Sequence, residues 1–321
     1  MRKLFLVCLL ALLTDHCFCW GFFGHKKINN YAVYLLPPEM MVLYKPNSDF
    51  LTEHAVDPDK RRYTLSYEGP RHFIDVDHYG NYPYPELPHK WKDAVAKFSE
   101  DSLQAYGIGP WWVPVMVQRL TDAFKEKNQA KILKLSAELG HYIADLHVPL
   151  HASSNHNGQF SDQKGIHGFW ESRLPELLAD KEWDFFIGKA EYIKDPAAFT
   201  WSRVLESGAA ADTVLKFEKE LSKQFPADQK YSFEDRNGVV IKQYSSAYSN
   251  AYNEKLKGMV ERRMRQSIYA VASLWYTAWI NAGQPDLTKL SNKEFSADDL
   301  KEFEELNSAW HDSGVKEREH E

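Results

Sequence analysis

The stretch that most limits the architecture runs from Ala130 to Leu150, AKILKLSAELGHYIADLHVPL. Its apolar residues recur at helical spacing, and Pro149 should end or kink the helix near His147. His141 and Asp145 stand four positions apart, so both side chains leave one face of that helix and can share an ion. His151 follows six residues after Asp145, just past Pro149, where the kink can turn it back toward the same place. A second pair at the same spacing, His167 and Glu171, lies on the next helical segment, across the polar loop HASSNHNGQFSDQKGI. Two helices that each present a histidine and a carboxylate can converge on one cleft. Nitrogen and oxygen donors without sulfur suit Zn²⁺ in a hydrolytic site. Taken singly, a His-x-x-x-Asp pair is more often a surface or capping pair, so it is the set that carries the reading.

Other segments extend the helical pattern. Ile28, Ala32, Leu35 and Leu36 mark a helix from His25 to Leu36 that Pro37-Pro38 ends. Residues 46–90, rich in Pro, Gly, Asp and Tyr, read as a long structured loop, which in a compact domain is usually functional; it offers Asp57, its rival Asp59, and His72 as further ligands. Helical patterns follow at Trp91 to Ala105, Pro114 to Lys125, His167 to Ala179, Pro196 to Glu206, Ala209 to Phe225 and Ser245 to Asn281, the last closed by Gly283 and Pro285. A minor hairpin is expected over Tyr231 to Tyr244 with Asn237-Gly238 at its turn. Residues 286–321 form a charged tail with a short peripheral helix near Asp298 to Leu306. With no internal repeat and no strand–helix alternation, the expected fold is all-α. The pairs Trp111-Trp112 and Trp275-Tyr276 read as core packing.

Residues Met1 to Cys19 read as a cleaved export signal: basic Arg2-Lys3, an apolar run from Leu4 to Leu13, and a small-x-small pattern at Cys17-Phe18-Cys19. Cleavage there makes Trp20 a free amino terminus, whose α-amine can bind a metal once deprotonated. With its own carbonyl and His25, Trp20 could then form a chelate that the precursor cannot. The 3 cysteines all fall in the removed segment, and no Asn-x-Ser/Thr sequon occurs. The mature chain therefore lacks disulfides and thiolate ligands, which fits a bacterial periplasmic or secreted protein better than a eukaryotic secreted one. A formal charge of -6 gives no electrostatic footprint for long duplex nucleic acid. It says less about a small phosphate-bearing substrate, because bound divalent cations would reverse the local sign. No stretch after the leader approaches the length of about 20 uncharged residues that spans a bilayer.

Together, WGFFGH at Trp20, AVDPDKRR followed by HFIDVDH, the helix HYIADLHVPLH and the later HGFWE resemble the superfamily of zinc-dependent phospholipase C and the single-strand-specific nucleases of the S-one/P-one type. The resemblance implies a compact multi-helix bundle over residues 20–285 holding three Zn²⁺. One zinc would take Asp57, His72, His141 and Asp145. A second would take the amine and carbonyl of Trp20, His25 and the bridging Asp145. A third would take His151, His167 and Glu171. Asp57 is preferred to Asp59 because it stands 15 residues before His72, as in the nuclease branch.

Asp57 and Asp145 are then the expected catalytic carboxylates, around a hydroxide held by two zincs that attacks a phosphodiester without a protein nucleophile. Within the superfamily the start of the chain and the HFID motif favour a nuclease on single-stranded nucleic acid or nucleotides, the leading expectation. Glu171, where those nucleases usually carry Asp, and the 16-residue step from His151 to His167 favour a phospholipase C acting on phospholipid headgroups. A noncatalytic zinc-binding protein is the remaining alternative, and no obligate protein partner is evident.

Overall fold

The computed structural model describes residues 21–62, 65–236, 238–290 and 294–312. It is all-α apart from one hairpin. The leader and Trp20 lie outside the described residues, as do Asn237 and the chain beyond residue 312.

Helix α1 (Gly21–Val33) buries Ile28, Ala32 and Val33 and ends before Pro37, somewhat earlier than its apolar pattern suggests. Helix α2 (Pro38–Tyr44) follows, and the segment expected as one long loop contains short helices, α3 (Ser48–Glu53) and α4 (Asp57–Arg62), then single turns at Gly69–His72 and Val76–Tyr79. The Trp91–Ala105 pattern splits into α5 (Trp91–Phe98) and α6 (Glu100–Tyr106), because Ser99 adopts φ 66° and its hydroxyl caps the second helix. Helix α7 (Gly109–Glu126) starts earlier than expected, at a glycine followed by Pro110 in the first turn, and tolerates Pro114 within it.

Asn128 caps α8 (Gln129–Asp145), whose last ten residues are buried on every side. After it, the segment that carries His167 and Glu171 breaks into α9 (Ile166–Gly168), a π-helical turn (Phe169–Arg173) and α10 (Leu174–Leu178). The two patterns at 196–225 form a single helix, α11 (Pro196–Gln224), capped by Asp195. The pattern at 245–281 is instead two helices, α12 (Ser246–Lys255) and α13 (Met259–Asn281). The chain bends between them at Lys257 and Gly258, both with positive φ. Strands β1 (Tyr231–Arg236) and β2 (Val239–Tyr244) pair antiparallel, Tyr231 opposite Tyr244 and Arg236 opposite Val239. Helix α14 (Ala297–Asp312) is longer than expected from the tail and docks on α4, with Phe303 against Phe50 and Phe295.

Helices α1, α7, α8, α11 and α13 pack together with α8 at the centre. Polar groups buried at the middle of α8 find partners: Trp275 Nε1 donates to Ser136 O (2.9 Å), and Tyr44 and Ser136 share a hydroxyl bond (2.8 Å). Buried Arg263 of α13 donates to His147 O (2.7 Å), to Glu206 (2.9 Å) and to Ser207, tying the turn after α8 to α11.

The α1–α8 crossing is tight. Buried Asn29 donates to Leu51 O (3.2 Å) and Ala137 O (3.0 Å), and its side chain lies against the backbone of Gly140, where a methyl group would overlap Asn29 Oδ1. Gly140→Ala must therefore displace Asn29 from both bonds or part the helices. The expected cost is about 2 kcal/mol, read as a lowered urea midpoint with an unchanged slope.

Candidate metal centre

The α1–α8 crossing brings His25 and His141 face to face, their rings stacked with centroids 3.8 Å apart. Asp145, one turn along α8 and fully buried, faces several imidazoles at once. Its Oδ1 lies 3.2 Å from His25 Nε2 and 3.9 Å from His151 Nδ1, and its Oδ2 lies 2.9 Å from His72 Nδ1 and 3.2 Å from His141 Nε2. Three sets of buried donors result, each with ligand atoms within 4.8 Å of one another: His25, His141 and Asp145; Asp59, His72 and His141; His151, His167 and Glu171.

One expected member, Asp57, stands apart from these sets. Its carboxylate turns away to His54 Nδ1 (2.6 Å) and Lys60 Nζ (3.2 Å). Asp59 takes the place beside the histidines, with Oδ1 3.6 Å from His141 Nε2 and 3.7 Å from His72 Nδ1. The two aspartates are two residues apart on α4, so they project from opposite sides of it. Reading this segment as a loop conceals that phase. The partners of Asp57, three residues before and after it, were the available signal.

Trp20 lies outside the described residues. Gly21, where they begin, packs against Ser172, the residue after Glu171, so the start of α1 lies at the edge of the third cluster. Of the remaining histidines, His147 faces away, its Nδ1 donating to Ile143 O (2.7 Å), and His156 lies 6.2 Å, ring to ring, from His167.

Backbone carbonyls aim the ligands. His141 Nδ1 donates to Ala55 O (2.8 Å) and His151 Nδ1 to His72 O (2.7 Å), so each presents Nε2 to the cluster. Asn157 Oδ1 accepts from Gly165 N (2.9 Å) and His167 N (3.4 Å), fixing the turn that carries His167. Behind His72, Glu68 Oε1 lies 3.6 Å from Nε2, within a network of Arg61, Arg71, Glu138 and Tyr142 that sequence reading missed.

The charge states follow from this packing. Burial opposes ionisation of Asp145, but His141 and His151 hold its carboxyl well below the ordinary range. Burial likewise opposes ionisation of Glu171, and His167 and His151 bring it down to about 2. Burial, together with the charge of His141, lowers the pKa of His25 and keeps that imidazole neutral. For His141 burial is outweighed by Asp145 and Asp59, and the pKa rises to about 9.

The donors fit zinc. His25 Nε2, Asp59 Oδ2, Asp145 Oδ1, His151 Nε2 and both oxygens of Glu171 are buried and without a hydrogen bond. Each such atom costs about 1–3 kcal/mol to bury, a cost a cation shared among them offsets. The sequence profile described as zinc dependent phospholipase C matches residues 24–233. The chain belongs to that family. It is accordingly a zinc-dependent phosphodiester hydrolase, and its matched region holds every described donor of the three clusters. No curated protein matches the chain. Among the described residues, no helix is long and apolar enough to cross a membrane.

Two measurements check this site. Asp59→Ala should lose close to one zinc per chain by metal counting, and Asp57→Ala should keep the full complement. In the metal-free protein the His141 proton, bound with a pKa of about 9, stabilises the fold fully below the unfolded value near 6.5, and that stabilisation is lost as pH rises through 9. A metal must displace the same proton. Zinc affinity should therefore climb with pH up to about 9, and uptake at pH 7 should release at least about one proton, read by calorimetry in buffers of different ionisation enthalpy.

Proposed function

We propose that this protein is an exported phospholipase C that hydrolyses the bond between the glycerol oxygen and the phosphate of a phospholipid. The observation that carries this reading is the third cluster, where Glu171, rather than an aspartate, joins His151 and His167. The family match points the same way. The order of readings drawn from the sequence is thereby reversed, and the nuclease becomes the second. What favours it is the position of His25 five residues after Trp20, together with HFID before the central helix.

Three zinc ions would be held: one by Asp59, His72, His141 and Asp145, one by His25, Asp145 and the amino terminus at Trp20, and one by His151, His167 and Glu171. Bound there, zinc would lower the pKa of water and neutralise charge on the phosphate and the departing oxygen. The chain's own groups do the rest. Asp145, shared between two sites, keeps those sites at a fixed separation. Asp59 Oδ2, without a hydrogen bond in its buried position, accepts a proton from the attacking water. That assigns to Asp59 the catalytic role expected of Asp57, and Asp145 keeps its own. Burial of the donors excludes competing water from the ligand atoms.

The test uses zinc-loaded protein beginning at Trp20, incubated in parallel with monomeric short-chain phosphatidylcholine and with single-stranded DNA. Release of phosphocholine with intact DNA is expected; the reverse pattern would install the nuclease reading, and inertness toward both and toward bis-p-nitrophenyl phosphate would leave a zinc-binding protein. Asp145→Asn should remove two zincs and reduce turnover by at least about a thousandfold, in line with the loss of a principal electrostatic element.

A further inference from the structure

The hairpin half-buries several polar residues beside Ile241 and exposes Phe233 and Val240. A strand pair packed on a protein body normally turns apolar residues inward and polar residues outward. Here Ser232, Glu234 and Gln243 lie on the inner, half-buried face, where Glu234 accepts from both strands' side chains and forms a two-pronged pair with Arg173 (2.6 and 3.2 Å). The register puts Tyr231, Phe233 and Asp235 on the opposite face with Val240, Lys242 and Tyr244, the last of which, at the base of the hairpin, packs back against Phe169. Phe233 is 74% exposed and Val240 62%. Lys242 holds its ammonium over the Tyr231 ring at 4.3 Å, so the cation stands beside the apolar pair. Asp235 is used locally, accepting from Gly238 N (3.0 Å).

This face is joined rigidly to the metal centre. Arg173, the last residue of the π-helical turn that carries Glu171, also donates to Tyr244 O (3.0 Å). Tyr244 stacks on Phe169, two residues from both His167 and Glu171, with centroids 3.8 Å apart.

We propose that the outer face of the hairpin is an interfacial docking surface for a phospholipid membrane. Phe233 and Val240 enter the acyl boundary, Tyr231 sits at headgroup level and Lys242 meets lipid phosphate, the arrangement that aromatic, aliphatic and basic side chains adopt at a bilayer surface. An apolar face edged by a lysine fits a surface that offers both hydrocarbon and phosphate. Through Arg173 and Tyr244 the docked hairpin holds the third cluster close to the bilayer. The proposal deepens the phospholipase reading and rests on it for its meaning, but the binding itself is measured without turnover.

Zinc-loaded protein and the variants Phe233→Ser/Val240→Ser and Lys242→Glu are sedimented with vesicles of phosphatidylcholine alone or mixed equally with phosphatidylglycerol. Circular dichroism and zinc content confirm that each variant is intact. The double variant should bind both vesicles about tenfold more weakly and turn over vesicle lipid correspondingly more slowly, yet hydrolyse monomeric bis-p-nitrophenyl phosphate at the wild-type rate. Lys242→Glu should weaken binding chiefly to the anionic vesicles. Undiminished vesicle binding by the double variant would overturn the proposal, as would a dimer that it converts to a monomer, since the face would then seat a second copy of this chain. Vesicle binding that depends on the hairpin, in a protein that cleaves only DNA, would leave the docking surface standing and remove the phospholipase reading.

Discussion

The structure depends on one buried carboxylate. Asp145 has no contact with solvent, and removing a charge from water is costly unless positive or polar groups surround it. Both of its oxygens are faced by histidines, drawn from α1, from the turn before Phe73, from α8 itself and from the turn after it. None of these partners works alone: a neutral imidazole solvates a carboxylate poorly, and imidazolium groups packed at ring-stacking distance repel one another. Cations shared with the carboxylate resolve the conflict, and the helices are spaced to admit them.

That requirement explains features with no value to a purely apolar bundle. The second half of α8 is enclosed on every side, which fixes His141 and Asp145 on a well-packed element. Carbonyls of Ala55 and His72 choose which imidazole nitrogen faces inward. Arg263 takes the carbonyl of His147 and so pins the turn between Asp145 and His151, at a distance from any ligand atom. A precise site on helices is thereby extended through irregular turns without losing its aim.

Much of this was legible in the sequence wherever spacing and periodicity act within a single element. The pairs His141/Asp145 and His167/Glu171 are visible because a helix places residues four apart on one side, and the hairpin because Asn237-Gly238 marks its turn. Legibility failed where the element was misread. With residues 46–90 taken as a loop, the step to His72 was left to separate Asp57 from Asp59, whereas helical phase turns the first toward His54 and Lys60 and the second toward His72. The breaks at Ser99 and at Lys257-Gly258 depend on positive φ, which serine and lysine seldom adopt and no periodicity reports. The network of Glu68, Arg61, Arg71, Glu138 and Tyr142 joins residues up to 81 positions apart, a tertiary fact with no local trace.

Gly140 carries a consequence of another kind. Because it has no side chain, Asn29 can press against α8, and the rings of His25 and His141 come to stacking distance. The gap between the helices therefore works as a gauge set by an absent methyl group, which sets how closely the His25 and His141 rings approach without either ring being touched.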